Sequence, residues 1–148
     1  MADNYPNIYL YKRIVQAKLF MDNHYGEAID LNNIADEAYY SKFHFIRLFR
    51  KIYGKSPHQY LTSVRIENAK ILLQHEVPVT ETCFMVGFDS AGSFTQLFKR
   101  YTNLSPSTYK QQFKKRREQI KNTPLQFIPN CFAEQTGWTK KSNFQEVT

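Results

Sequence analysis

Two stretches decide the fold: SKFHFIRLFRKIYGKSPHQY (41–60) and SAGSFTQLFKRYTNLSPSTY (90–109). They are one unit written twice. Ser41, Phe45, Leu48, Phe49, Arg50, Lys51, Ser56, Pro57 and Tyr60 recur as Ser90, Phe94, Leu97, Phe98, Lys99, Arg100, Ser105, Pro106 and Tyr109, each 49 residues further on. In each copy the apolar residues fall at i, i+3, i+4 and i+7 (Phe45, Leu48, Phe49, Ile52; Phe94, Leu97, Phe98, Tyr101). That spacing makes the core face of an amphipathic helix. Ser41 and Ser90 are positioned to cap these helices. The Ser-Pro pair that closes each stretch starts another helix: Ser caps it, and Pro sits at the first position, where its missing N–H leaves no bond unmade.

Upstream the repeat weakens but continues. Ile34, Ala35 and Ala38 find counterparts in Thr82, Cys83 and Val86, now 48 residues apart, and the one-residue difference falls in the turn at Asp89. Small side chains on the first helix let the second cross closely, so each copy reads as a helix-turn-helix. Asp30 can cap a helix over about 31–38, and Thr80 one over about 80–86, ended by Gly87. Before the repeat, residues 8–25 place Ile8, Tyr11, Ile14, Val15, the Lys18 stem, Leu19 and Met21 along one broad stripe, and Gly26 ends that helix. Between the copies runs a long helix, about 57–75. Tyr60, Leu61 and Val64 favour one side of it, and Ile66, Ala69, Leu72 and Leu73 another, so it can serve two small cores. A last helix runs from Pro106 to about 118. The expectation is an all-α chain of seven helices without sheet over 8–118. Two helix-turn-helix subdomains, about 31–53 and about 80–102, would be joined by the linker helix. Residues 119–148 lose the period and read as an irregular tail.

The composition agrees. A chain of 148 residues with 42% hydrophobic and 22% charged residues is one ordinary globular domain, and 12 Phe and 10 Tyr supply large buried area. Five Gly are too few for an all-β chain rich in tight turns. No run approaches the roughly 18 apolar residues of a membrane span, and the first residues lack a secretory signal. Cys83 and Cys131 are too few for a disulfide framework, and we expect both as free thiols of a cytoplasmic protein, Cys83 inside a helical core. The net charge of +7 is uneven. Residues 1–40 carry −3, whereas residues 41–118, with fourteen basic and five acidic side chains, carry +9. A basic block that coincides with two helix-turn-helix units suits a polyanion, and a helix of that width fits the major groove of double-stranded DNA. A solvated surface kept for solubility is the plainer account of the charge alone.

The second copy, PVTETCFMVGFDSAGSFTQLFKRYTNLSPSTYK (78–110), with VRIENAKILL (64–73) before it, resembles the DNA-binding domain of the AraC/XylS family of bacterial transcription regulators. The likeness rests on Gly-Phe, Ser, Phe-x-x-x-Phe-Lys, Ser-Pro-x-x-Tyr and the Arg-x-x-x-Ala-x-x-Leu-Leu form of the linker, and spans roughly 8–117. It implies two reading helices that enter successive major-groove segments on one face of DNA. Thr82-Cys83 departs from the family's usual aliphatic residue followed by Ala, and Asn103, which tolerates the left-handed region, replaces a frequent Gly. Most members carry a further sensor domain. The chain therefore resembles either a short single-domain member or a piece of a longer regulator; Met1 leans towards the first, though a cloned piece can begin the same way.

On the first reading helix, Lys42, Phe43, Ile46, Arg47, Arg50 and Lys51 lie opposite the core face. The resemblance implies that positions 43, 44, 46 and 47 face bases. Arg47 can bond guanine O6 and N7 together, while Phe43 and Ile46 can pack on thymine methyls. Packing against a neighbouring helix is the plainer reading of those two apolar residues. His44 suits a phosphate or a local carbonyl. On the second helix Ser93, Thr95 and Gln96 face outward beside Ala91 and Gly92, and Gln96, at the position of Arg47, can pair with adenine. The expected reader is asymmetric: the first unit specifies and the second largely anchors. Phosphate contacts fall to Arg50, Lys51, Lys55, Lys99, Arg100 and Lys110, and to the helix N-termini at Ser56 and Ser105. The run Lys114-Lys115-Arg116-Arg117 adds further cations, or is a solvated cluster. Arg65 reads as structural, its stem on the core and its guanidinium on nearby carbonyls.

No nucleophile motif, phosphate loop or zinc spacing occurs, so no enzyme, cofactor or metal is expected. The partner expected is double-stranded DNA, bound by a monomer, with RNA polymerase as a further partner and no membrane. The competing reading is a protein-interaction adaptor, for example to RNA polymerase, with only non-specific affinity for nucleic acid.

Overall fold

The computed structural model describes residues 8–32 and 42–123. Among the described residues it is all helical, with no strand: α1 (Ile8–His24), α2 (Lys42–Tyr53), α3 (Pro57–Gln74), α4 (Val79–Met85), α5 (Ala91–Thr102) and α6 (Pro106–Asn122). These are six helices rather than the expected seven. The missing one, about 31–38, is helical at 31–32 and otherwise falls on 33–41, outside the described residues. Its expected start carries the local bond of a cap, since the Asn32 N–H donates to Asp30 Oδ1 at 2.9 Å. Ser41, Ala35, Ala38, Cys131 and the tail beyond 123 also lie outside the described residues.

The chain divides into two compact units, 1–110 and 111–148. In the second, the Arg117 guanidinium lies 5.9 Å from the Phe113 ring centre. The first unit holds two cores. Ile14, Ala17 and Met21 of α1 meet Phe45 and Phe49 of α2 and Leu61 of α3. Ile66, Ala69 and Leu73 of α3 meet Cys83, Val86, Phe88, Phe94 and Phe98. The linker helix thus serves both cores from its two ends, as its split apolar pattern predicts. The sequence repeat becomes a structural one. Phe49 meets Tyr60 edge-on at 5.7 Å and 70°, and Phe98 meets Tyr109 at 5.4 Å and 76°.

The stop signals are local. Gly54 and Gly87 take φ of 74° and 90°, and Asn103 takes 61°. The Gly87 turn is a Schellman motif: Phe88 N–H donates to Cys83 O and Gly87 N–H to Phe84 O, both at 3.1 Å. Glu76 closes α3 at φ 65°, an L-residue where no sequence signal announces the left-handed region.

Four details differ from the sequence reading. The last helix runs to Asn122, into the stretch 119–148 expected as an irregular tail. On α1 the buried residues are Leu10, Ile14, Ala17 and Met21, whereas Ile8, Tyr11, Val15 and Leu19 form an exposed ridge. Ile52 and Tyr101, the outer members of the two expected core faces, are both 38% exposed, because α2 and α5 bury only the arc centred on their Phe pairs. The cap of α4 is Pro78, with Thr80 inside the helix. Pro fixes φ for a helix start as a cap does, without a side-chain bond.

Candidate nucleic-acid interface

Burying Phe45 and Phe49 turns the opposite side of α2 to solvent. Lys42, Phe43, His44, Arg47, Arg50 and Lys51 are exposed, Phe43 to 77%. Ile46 is half-buried and packs against the first core. Burying Phe94 and Phe98 does the same for α5: Ser93, Gln96, Lys99 and Arg100 are exposed, and Thr95 is half-buried. At Gly92 an added Cβ would meet nothing within 4 Å, so the first turn of α5 offers bare backbone. Ser93 is engaged locally: its N–H donates to Ser90 Oγ at 3.2 Å, and the Ser90 hydroxyl donates to Ser93 Oγ at 3.0 Å.

The two Ser-Pro starts are largely closed. At Ser56 a capping box forms: Gln59 N–H donates to Ser56 Oγ at 3.2 Å, and Ser56 N–H donates to Gln59 Oε1 at 3.0 Å. Thr108 N–H donates to Ser105 Oγ at 3.2 Å. Pro57 and Pro106 themselves have no N–H, so each first turn has fewer groups to offer an anion. The helix termini therefore offer an anion less than the sequence suggests.

Two of the cations, Lys55 and Arg100, line one groove. A cavity of about 620 Å³ is lined by Lys55, His58, Gln59 and Thr62 from the start of the linker, and by Leu97, Arg100 and Tyr101 from α5. It joins a wall of the first repeat to a wall of the second. Sequence reasoning singled out Lys55 and Arg100 but missed His58, Gln59 and Tyr101. The spacing 58, 59, 62 is a helical face and was available as a signal, with Lys55 just before the cap; the pairing with α5 is tertiary and was not. Lys110 and Ser105 are half-buried at the start of α6.

Behind these faces the ionisable groups are structural. The Tyr60 hydroxyl donates to Asp22 Oδ1 at 2.7 Å, while Lys18 Nζ holds Asp22 Oδ2 at 2.8 Å. Burial, then the Asp22 contact, pushes the Tyr60 phenol above its ordinary value. Burial pushes the Cys83 thiol up as well, keeping it protonated within the second core. Arg65 does what its sequence position predicts, since its guanidinium bonds the carbonyls of Tyr25 at 2.8 Å and Glu27 at 3.0 Å.

A helix-turn-helix domain family matches residues 34–112. An HTH-type transcriptional regulator of Bacillus subtilis, YdeC, is 35% identical over 99 residues, covering 66% of this chain and 34% of its own. The probable transcription factor PqrA of Proteus vulgaris is 31% identical over 87 residues, 58% of this chain and 71% of that one. This chain thus spans about a third of the Bacillus regulator's length. Among solved structures, the DNA-binding domain of AdpA in complex with a target DNA superposes with a TM-score of 0.68 at 30% identity, over 72% of this chain and 97% of that one. The C-terminal domain of AraT, a response regulator from Geobacillus stearothermophilus, gives 0.63 at 26% identity, over 68% and 84%.

Proposed function

The chain belongs to the AraC-type helix-turn-helix family of transcription regulators, and from that premise we propose that it regulates transcription by reading double-stranded DNA through α2 and α5 in successive major-groove segments. The observation that carries this reading is the repeat itself: two equivalent helices, each with a buried Phe pair and an exposed outer face, held within one compact unit. Lys42, Phe43, His44, Ile46 and Arg47 read base edges from α2, and Ser93, Thr95 and Gln96 from α5. Arg47 brings two parallel donors to guanine; Gln96 sits on a face of small side chains and discriminates less. Arg50, Lys51, Lys99, Lys110 and the turns at Ser56 and Ser105 hold phosphates. The strand between the two major-groove segments passes the groove that Lys55 and Arg100 line. The protein acts in the bacterial cytoplasm, where DNA is, and works by binding rather than by covalent chemistry.

The ridge Ile8, Tyr11, Val15 and Leu19 favours one addition, a protein contact made while DNA is bound, with RNA polymerase as the partner. Val15→Arg would then lower transcription in a reconstituted assay without changing duplex affinity.

The deciding experiment selects duplexes from a random library and titrates the winner against a scrambled duplex at several salt concentrations. A reader gives tighter binding to the selected duplex and a steep fall of log K with log salt. Equal binding to both, whatever its salt dependence, would leave only the adaptor reading.

A further inference from the structure

The linker helix is not the sole connection between the two reading heads. Tyr25, just after α1, packs against both cores. From the middle of α3, Arg65 Nε donates to the Tyr25 carbonyl at 2.8 Å, and Nη2 donates to the Glu27 carbonyl at 3.0 Å. The same guanidinium lies 5.8 Å from the ring centre of Phe88, in the turn between α4 and α5. Backbone meets backbone here with no room to spare. A Cβ at Gly26 would stand 2.7 Å from the Met85 carbonyl oxygen. One at Gly87 would stand 2.6 Å from the Tyr25 carbonyl oxygen and 3.0 Å from Arg65 Nη2. Residues 25–27 belong to the first head and residues 85–88 to the second; Arg65 belongs to the helix between them.

We infer that this junction is a brace that fixes the rotation of the second reading head against the first, so that Arg65 sets the base-pair spacing between the two DNA segments read. The inference rests on the DNA-reading function proposed above. A single helix bends and twists along its length, so two heads joined only by α3 would adapt to more than one spacing. A second connection closes the linkage and removes that freedom. The demand from DNA is steep: one extra base pair moves a segment by about 3.4 Å and turns it by roughly a tenth of a helical turn. Arg65 suits the task because its fork bonds two carbonyls of one turn at once while its flat face lies on Phe88; a Lys ammonium is a single point. Burial also disfavours the charge on this guanidinium, and the nearby Asp89 carboxylate partly offsets that.

The test uses the full chain and a duplex selected by the wild-type protein, with variants of that duplex carrying one base pair more or fewer between the segments. The wild type is expected to lose on the order of tenfold or more in affinity on either altered spacing. Arg65→Met, which keeps the stem and loses the fork, is expected to bind the parent duplex more weakly and to treat all three spacings alike within about threefold. Its base preference inside each segment should not change. A merely structural role would lower stability and leave the spacing ratio as it was, and an unchanged ratio overturns the brace. If Arg65→Met does not fold, Arg65→Lys carries the same comparison. A measurement without DNA separates this inference from the function: spin labels at Lys51→Cys and Lys99→Cys, in a Cys131→Ser background. One narrow distance distribution in the Arg65 protein that broadens in the variant supports the brace; equal widths overturn it. If instead no duplex is selected at all, the DNA-reading function falls and the distance widths still judge the brace.

Discussion

At the scale of single residues, stability and reading separate cleanly. Thr82 is fully buried, and its Oγ1 has no hydrogen-bond partner among the described residues. It stands where the family resemblance leads one to expect an aliphatic side chain. A buried hydroxyl left unpaired costs about 1–3 kcal/mol, so Thr82→Val, nearly the same shape, should stabilise the protein by about 1 kcal/mol or more in urea unfolding. A destabilised variant would mean that the hydroxyl is satisfied. Reading residues should show the reverse pattern. Arg47→Ala is expected to leave unfolding within about 0.5 kcal/mol, because the side chain is exposed, yet to lose about 10- to 100-fold in affinity for a selected duplex. Gln96→Ala should cost less, about 0.5–1 kcal/mol of binding. Titration of both variants on selected and scrambled duplexes decides this, and a larger loss of specificity at Gln96 would end the asymmetric reading. Arg65 was legible from sequence because a long cationic side chain among linker core residues must reach carbonyls. Thr82 was noted only as a departure, since satisfaction of a hydroxyl depends on neighbours that one sequence does not place.

At the scale of elements, local chemistry was legible and the choice of face was not. Ser56-Pro57, Ser90, Gly54 and Gly87 act within a turn of their own position, and each does what its residue type requires. In α1 two stripes have helical spacing: Leu10, Ile14, Ala17 and Met21, and Ile8, Tyr11, Val15 and Leu19. Periodicity cannot rank them, and packing on Phe45, Phe49 and Leu61 chose the first. The chosen face brings Asp22 beneath Tyr60, joining α1 to α3 by a hydrogen bond of 2.7 Å. This bond has a pH signature. Folding raises the Tyr60 pKa, chiefly by burial and then through Asp22, so the folded chain holds the phenol proton more tightly than the unfolded chain. The stability this supplies is complete below the ordinary value of 10.0 and is lost as pH rises through the higher folded value. Lys18 and Cys83, also raised, act in the same direction. Tyr60→Phe should therefore be less stable than wild type by about 1 kcal/mol at neutral pH. In urea unfolding the gap should narrow as pH rises beyond 10; a gap constant across that range would show that folding does not raise the Tyr60 pKa.

At the scale of the whole molecule, the charge block found in the sequence acquires a direction. Net +9 over 41–118 states that a polyanion fits; it does not state which cations act together. Folding brings Lys55, before the linker helix, and Arg100, on α5, into the lining of one groove, although 45 positions separate them in the chain. With the Ser56 and Ser105 hydroxyls engaged in their own caps, we propose these side chains as the main phosphate contacts between the reading helices. Each phosphate neutralised releases condensed counterions and adds about 0.9 to the slope of log K against log salt. Lys55→Ala and Arg100→Ala should each lower that slope by about one unit, on selected and scrambled duplexes alike, since phosphates carry no sequence information. If the two meet different phosphates of one strand, the double variant lowers the slope by about two units and the binding losses add. If they share one phosphate, the double variant loses no more than either single. Additivity is the expected outcome, because the groove, at about 620 Å³, has room for a length of backbone rather than a single anion. A slope untouched by both substitutions would place the strand elsewhere on the protein, and the groove would then have no part in DNA binding.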